Sequence, residues 1–365
     1  MKRTAIFILC AAGIAALPAW FWYSFLRDIP VGNGGTATFA GRFATPDPEA
    51  PETPEIPRPR LRELLSYPVV ALSADRNRRD VRMYEEGTGR AFAVNTLTLK
   101  VTTLSDERLE RFITTVWSPN GTEVISAFAE SGGTQFRYFD YRTGRVAPLP
   151  ASVRLFAFSP DGGRIATVRT TDGGVRLWIS SPDGTGEFAI LATRLNITAL
   201  SWPAADELAV VTRHPSGAES VVMVSMEGKL RPLRDGIRGA ELNWSPNGTR
   251  ALVSHVTDDA RVLELMDAAT GDTAVLGIHA RAGTCAWHTD QAWVTCGLPA
   301  QPNTTAEHAV IGSVVSTSLT DGTSVVRYRP GAGETFGMRS PFMVSGDTGI
   351  AFLDPFSGLP YLLSW

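Results

Sequence analysis

The chain reads as all-β: a β-propeller of seven four-stranded blades, preceded by one apolar N-terminal helix. Three observations predict this. A turn signature recurs, as Val116-Trp117-Ser118-Pro119-Asn120-Gly121-Thr122, Ala157-Phe158-Ser159-Pro160-Asp161-Gly162-Gly163 and Asn243-Trp244-Ser245-Pro246-Asn247-Gly248-Thr249. Aligned on the residue before each turn, the series Leu72, Trp117, Phe158, Trp202, Trp244, Trp287 advances by 41 to 45 residues, the length of a four-stranded blade. Val344 follows after a longer interval. Finally, 34 Gly and 24 Pro among 365 residues suit a protein made of short strands and many turns.

The signature has a local physical reading. Pro at the second turn position pre-sets φ, Asn or Asp tolerates the bridge region, and Gly takes the positive φ that closes the loop. Such a turn joins two antiparallel strands. The aromatic ends the first strand, and Glu123–Ala129, Arg164–Val168 and Arg250–Val256 read as second strands. Third strands follow, such as Arg90–Asn95, Gln135–Tyr141, Val175–Ser180 and Ser220–Met226, each closed by a second turn such as Arg142-Thr143-Gly144-Arg145 or Ala269-Thr270-Gly271-Asp272. Outer strands come last, such as Val101–Leu104 and Val146–Leu149.

Before the repeats, Met1-Lys2-Arg3 leads into the apolar run Thr4–Leu26. Its length suits a bilayer-spanning helix, with Trp20, Phe21, Trp22 and Tyr23 at one interface. Residues 1–27 are therefore expected to be an anchor with a cytoplasmic N-terminus; a signal peptide cut after Ala19 is the alternative. Leu9 before Cys10 does not suit a lipoprotein signal. Residues 28–60 form a Gly- and Pro-rich linker, with one strand-like piece, Thr36–Phe43, and a stiff spacer from Pro46 to Pro59. Residues 61–365 are the propeller.

The seventh repeat has room for only three strands: Pro341–Val344, Gly349–Leu353 and Leu359–Trp365. Closing the ring needs a fourth, since an open edge invites aggregation. A segment before Tyr67 is expected to supply it, either Thr36–Phe43 or Ile56–Leu65; a six-bladed ring with an extra hairpin is the alternative.

The sequence aromatic-Ser-Pro-Asp/Asn-Gly, then strands ending near Asp/Tyr-x-x-Thr-Gly-Arg, resembles the WD-like repeat of TolB-type β-propellers over about Tyr67–Trp365. It is strong at Trp117, Phe158 and Trp244 and decays at Trp287 and Val344. The same repeat occurs in the propellers of prolyl-oligopeptidase-like enzymes. This chain carries no Gly-x-Ser-x-Gly elbow and ends within the last blade, so the peptidase activity is not expected to carry over. The resemblance implies a protein-interaction scaffold in a bacterial cell envelope.

Candidate chemistry is sparse. Cys285 and Cys296 stand on the first two strands of blade six, within disulfide reach if the hairpin is bulged; pairing Trp287 with Ala292 would offset them. An exported compartment would oxidise them; two free thiols are the other reading. The stretch Gly297–Ile311 reads as an inserted loop, and its Pro299, Asn303, Glu307 and His308 are candidate partner-binding residues. A tolerated insertion explains it equally. The five histidines, His214, His255, His279, His288 and His308, show no metal-ligand spacing, and His255-Val256-Thr257-Asp258-Asp259 reads as a solvated loop. Asn120, Asn196, Asn247 and Asn303 open Asn-x-Ser/Thr triplets, two of them at repeat turns. Four tryptophans, Trp117, Trp202, Trp244 and Trp287, are expected to wedge between blades. No catalytic, metal or cofactor residues are assigned. A net charge of −3 without a basic block argues against nucleic acid as a partner. The expectation is a membrane-held propeller outside the cytoplasm that binds envelope proteins, with a ligand-binding or hydrolytic central channel as the alternative.

Overall fold

The computed structural model describes residues 60–365, apart from 76, 258, 259, 302, 303, 305 and 307. The apolar run Thr4–Leu26, the piece Thr36–Phe43 and the spacer Pro46–Pro59 lie outside the described residues. Among the described residues no helix is long and apolar enough to cross a membrane.

Seven four-stranded antiparallel sheets make a seven-bladed propeller. Strand β1 (Arg60–Glu63) precedes the first blade, which is β2 (Val69–Ala74), β3 (Asp80–Glu85), β4 (Ala91–Asn95) and β5 (Val101–Ser105). Blade two is β6 (Phe112–Trp117), β7 (Glu123–Glu130), β8 (Gly133–Asp140) and β9 (Val146–Pro148). Blade three is β10 (Val153–Phe158), β11 (Ile165–Thr171), β12 (Gly174–Ser180) and β13 (Phe188–Thr193). Blade four is β14 (Ile197–Ala204), β15 (Glu207–Arg213), β16 (Glu219–Ser225) and β17 (Leu230–Ile237). Blade five is β18 (Glu241–Trp244), β19 (Arg250–Val256), β20 (Arg261–Asp267) and β21 (Thr273–Val275). Blade six is β22 (Cys285–Trp287), β23 (Trp293–Pro299), β24 (Ile311–Ser318) and β25 (Ser324–Tyr328). Blade seven is β26 (Arg339–Met343), β27 (Gly349–Leu353) and β28 (Pro360–Ser364), completed by β1.

Second strands are buried on both faces, because each blade is stacked between two others. Their sequences are accordingly continuous apolar runs, as in Leu208-Ala209-Val210-Val211 and Ala251-Leu252-Val253, all buried. Outer strands carry many of the exposed apolar residues, including Val101, Val146, Phe188 and Val275.

The recurring turn works as its chemistry predicts. Ser118, Ser159 and Ser245 each accept a backbone bond from the turn glycine at 2.8, 2.8 and 2.9 Å, and Gly121, Gly162 and Gly248 sit at φ 72, 76 and 70°. The serine hydroxyl in turn binds the Asn or Asp side chain, at 2.6 Å for Ser159–Asp161 and 2.8 Å for Ser245–Asn247. In the degenerate repeats the equivalence shifts. Ala74 pairs with Val81 and Asp75 bonds Asp80, so Ala74, and not Leu72, occupies the aromatic position of blade one. Met343 replaces Val344 in the same way, since Val344 bonds Gly349 as Ser118 bonds Glu123.

The tryptophans face the preceding blade. The Trp117 indole donates to the Ala71 carbonyl at 3.1 Å, Trp244 to the Ser201 hydroxyl at 2.9 Å, and Trp287 to the Asn243 carbonyl at 3.2 Å. A second component has no counterpart in the sequence motif. Arg82, Arg164 and Arg250 lie 5.7, 5.3 and 5.7 Å from the rings of Trp117, Trp202 and Trp287 on the following blade. Arg82 and Arg250 also donate to the following blade's turn carbonyls, Gly121 and Gln291. Turn glycines allow the same close stacking. A Cβ on Gly248 would lie 2.0 Å from the carbonyl oxygen of Pro203 in the blade before.

Ring closure is made by β1, which pairs antiparallel with β28 from Arg60↔Ser364 to Glu63↔Tyr361. Of the two segments weighed from sequence, Ile56–Leu65 therefore contains the closing strand. Leu61 packs on the core of blade seven, and Leu64 and Leu65 are buried in the core shared by blades seven and one. On the turn side, the Ser345 amide donates to the Arg78 carbonyl at 2.8 Å, joining the same two blades.

Candidate functional site at the loop face

The two rims of the ring differ. First-to-second and third-to-fourth strand turns lie on one face. Second-to-third strand loops and the connections between blades lie on the other, the loop face, which carries the insertion of blade six. The insertion is shorter than the sequence suggested. Gly297, Leu298 and Pro299 continue β23, opposite Val314, Ser313 and Ile311. Gly297 is buried where a Cβ would meet Ile311 and Met338, which is why a glycine that reads as loop belongs to a strand. The free loop runs over residues 300–310. Pro299 is half-buried at its base and His308 is exposed. Asn303 and Glu307 lie outside the described residues.

This loop is moored from below. Arg281 donates to the Ala306 carbonyl at 3.1 Å and pairs with Glu241 of blade five. The space between Arg261, His279, Arg281, Thr304 and Ala306 amounts to about 20 Å³. That is room for roughly one water, not for a ligand.

Cys285 and Cys296 stand directly opposite each other on β22 and β23, both fully buried, and their sulfurs are bonded. The register differs from the one read in the sequence. Trp287 pairs with Val294 instead of Ala292, because His288–Ala292 forms a longer turn. In it Gln291 is left-handed at φ 57° and the His288 amide donates to Trp293 at 3.0 Å. His288 takes the place of the repeat serine. Its Nε2 lies 2.8 Å from Thr295 Oγ1, and burial holds its pKa below the ordinary histidine value.

Several ionisable groups gather under the loops of blades four and five. His255 is buried in β19, not in a solvated loop, with Nε2 3.5 Å from Glu264, which also accepts from Arg234 at 3.0 Å. The strand runs on through Val256, and the loop begins only at Thr257. Glu219, also buried, accepts from Arg213 at 2.6 Å and from the Ala240 amide at 2.7 Å. Ser220, His214 and Asp235 form a further cluster that resembles a hydrolytic triad in composition only. Both partners meet the serine oxygen: His214 Nε2 at 2.8 Å, and the Asp235 carboxylate, which accepts its proton. A triad needs the carboxylate on the other imidazole nitrogen, so that the histidine can take the serine proton. Among the described residues no group of three His, Cys, Asp or Glu side chains is placed to hold a metal ion.

A cavity of about 620 Å³ opens in the central channel between the inner strands of blades seven, one and two. Its walls include Ser73, Glu86, Ile113, Val116, Arg339 and Ser340. A second space of about 280 Å³ adjoins it at the loop face and shares Val70, Glu86 and Arg339.

Fold and site together define a seven-bladed propeller with a stapled sixth blade and a roomy channel mouth. No protein-family model matches the chain, and neither does any curated protein. Among solved structures it is similar to an oligogalacturonate lyase in complex with manganese, at 14% identity and TM-score 0.63, covering 83% of this chain and 92% of that one. An oligogalacturonate lyase from Vibrio parahaemolyticus matches at 11% identity and TM-score 0.61, covering 83% and 93%. TolB from Acinetobacter baumannii is also found, at 13% identity and TM-score 0.48, covering 76% and 66%. The likeness to the two lyases shows the fold alone; identity this low transfers no activity.

Proposed function

We propose that the chain is a membrane-anchored propeller outside the cytoplasm that serves as a protein-interaction scaffold in a cell envelope, docking its partner on the loop face at blade six. The observation that carries this reading is the bonded pair Cys285–Cys296 beneath the loop 300–310. Structural disulfides persist in oxidising compartments, which favours an exported domain. The bond also ties β23, one of the two strands from which the loop projects, to its inner neighbour β22, and a loop on a rigid scaffold is suited to recognition. The apolar run Thr4–Leu26 supplies the anchor in this reading, and Pro299, Asn303, Glu307 and His308 supply the docking edge.

The test is capture from envelope membranes with the full chain carrying a photo-crosslinking side chain at position 308. A discrete protein adduct is expected, lost when residues 300–310 are replaced by a short Gly-Ser turn. Fractionation of the chain with the soluble cytoplasm, or the same adduct after loop replacement, would sink the proposal.

A further inference from the structure

We propose that the loop-face mouth of the central channel, at blades seven, one and two, binds an apolar amino acid or short apolar peptide with both ends free. Arg339 would hold its carboxylate and Glu86 its ammonium group. The proposal is independent of the docking role given to blade six.

Charge comes first. Among the described residues, neither the Arg339 guanidinium nor the Glu86 carboxylate has a hydrogen bond or ion pair, and both are exposed. They line the same two adjoining spaces yet form no salt bridge with each other. An unpaired cation and an unpaired anion on one cavity complement a ligand that carries both signs and spans between them. A simple anion would satisfy one group and be repelled by the other.

Shape and polarity follow. Ile113 and Val116 of β6 are 44% and 47% exposed on the channel side, an apolar wall facing water. Ser73, Ser340 and Thr114 add hydroxyl groups. The volume of about 620 Å³ falls within the usual range of small-molecule sites, roughly 300–1,000 Å³. One apolar wall with a few polar groups opposite suits an aliphatic side chain beside a charged backbone.

The backbone around the cavity is specialised as well. Inner strands of blades one, two, three, four and seven each carry a register shift of the bulge type. Only in blades one and seven does the bulge push a non-glycine residue into the left-handed region, Ala71 at φ 60° and Ser340 at φ 49°. Such conformations cost energy and gather at binding sites, where a bulge re-aims side chains. Both residues line this cavity.

Titration calorimetry of the full chain with Leu-Leu-Leu, its N-acetyl form and its C-terminal amide tests the proposal, with free leucine as a further probe. Trileucine or leucine is expected to bind, and blocking either end of trileucine to weaken it about tenfold or more. In Arg339→Ala the amide and the free acid should bind alike, while acetylation still weakens binding. In Glu86→Gln the dependence should reverse. Both side chains are exposed, and unchanged melting temperatures would confirm intact folds. Ile113→Asp should abolish binding from the opposite wall. Absence of binding by all probes at millimolar concentration would overturn the proposal, as would binding indifferent to both end groups, or carboxylate dependence that survives Arg339→Ala.

Discussion

Replacing Gly248 by alanine tests whether the repeat turns hold blades together or merely join strands. Two costs arise. At φ 70° an L-residue is strained by about 1–2 kcal/mol. Its Cβ would also stand 2.0 Å from the Pro203 oxygen and 2.6 Å from the Pro203 carbon. Both atoms are backbone of blade four, so relief requires the blades to part, at a cost of about 1–3 kcal/mol for a crowded interior. The sum is about 2–5 kcal/mol. Gly322 is the control: its φ is 74°, but nothing lies within 4 Å of an added Cβ. Gly322→Ala should lose only the first component, about 1–2 kcal/mol. Urea unfolding of the purified chain measures both. Equal destabilisation by the two substitutions would refute the inter-blade role of the turn and reduce it to a hairpin.

Three further outcomes are expected. Replacing Cys285 and Cys296 together by serine should cost about 2–4 kcal/mol, read as the difference in denaturation midpoint, and should abolish the sensitivity of that midpoint to reductant. His288, whose folded pKa is depressed by burial, stays neutral in the fold while the unfolded chain takes up a proton. Its contribution is therefore complete above about pH 6.5 and is lost as pH falls below that value. The stability of His288→Gln should vary less between pH 7 and 5 than that of the parent, and an unchanged slope in melts would reject the assignment. Arg62→Pro should break the pairing of β1 with β28, so that hydrogen exchange in β27 and β28 rises well before exchange in blades three and four; uniform protection would show that closure lies elsewhere.

The fold was legible because its punctuation is local. Ser-Pro-Asn/Asp-Gly forms its turn from its own atoms, so Trp117, Phe158 and Trp244 located their hairpins without knowledge of the rest. Where the turn is made by other chemistry, as at Asp75, His288 and Val344, the alignment slipped or the register was misjudged. Of the contacts between blades the tryptophan wedges were legible, but the arginines that cover them were not. Arg82, Arg164 and Arg250 look like ordinary surface charges, and only the stacking of one blade on the next puts them over indole rings. The candidate sites follow the same division. The cysteine pair was visible as a pair, though its register was not. Arg339 and Glu86 are far apart in sequence, belong to no motif, and meet at one cavity only because the ring closes blade seven onto blade one.

That closure orders events in time. Among the described residues β1 is the first strand to be synthesised, and β28, its partner, is the last. Six blades can be complete while the opening strand still has nothing to pair with. During that interval blade seven is unformed. The cost of bringing the distant ends together grows only slowly with the chain between them, so the delay weighs on speed more than on final stability. A ring sealed this way also reports on its own completeness: a chain cut short in its last few strands leaves two raw sheet edges, which quality control can recognise.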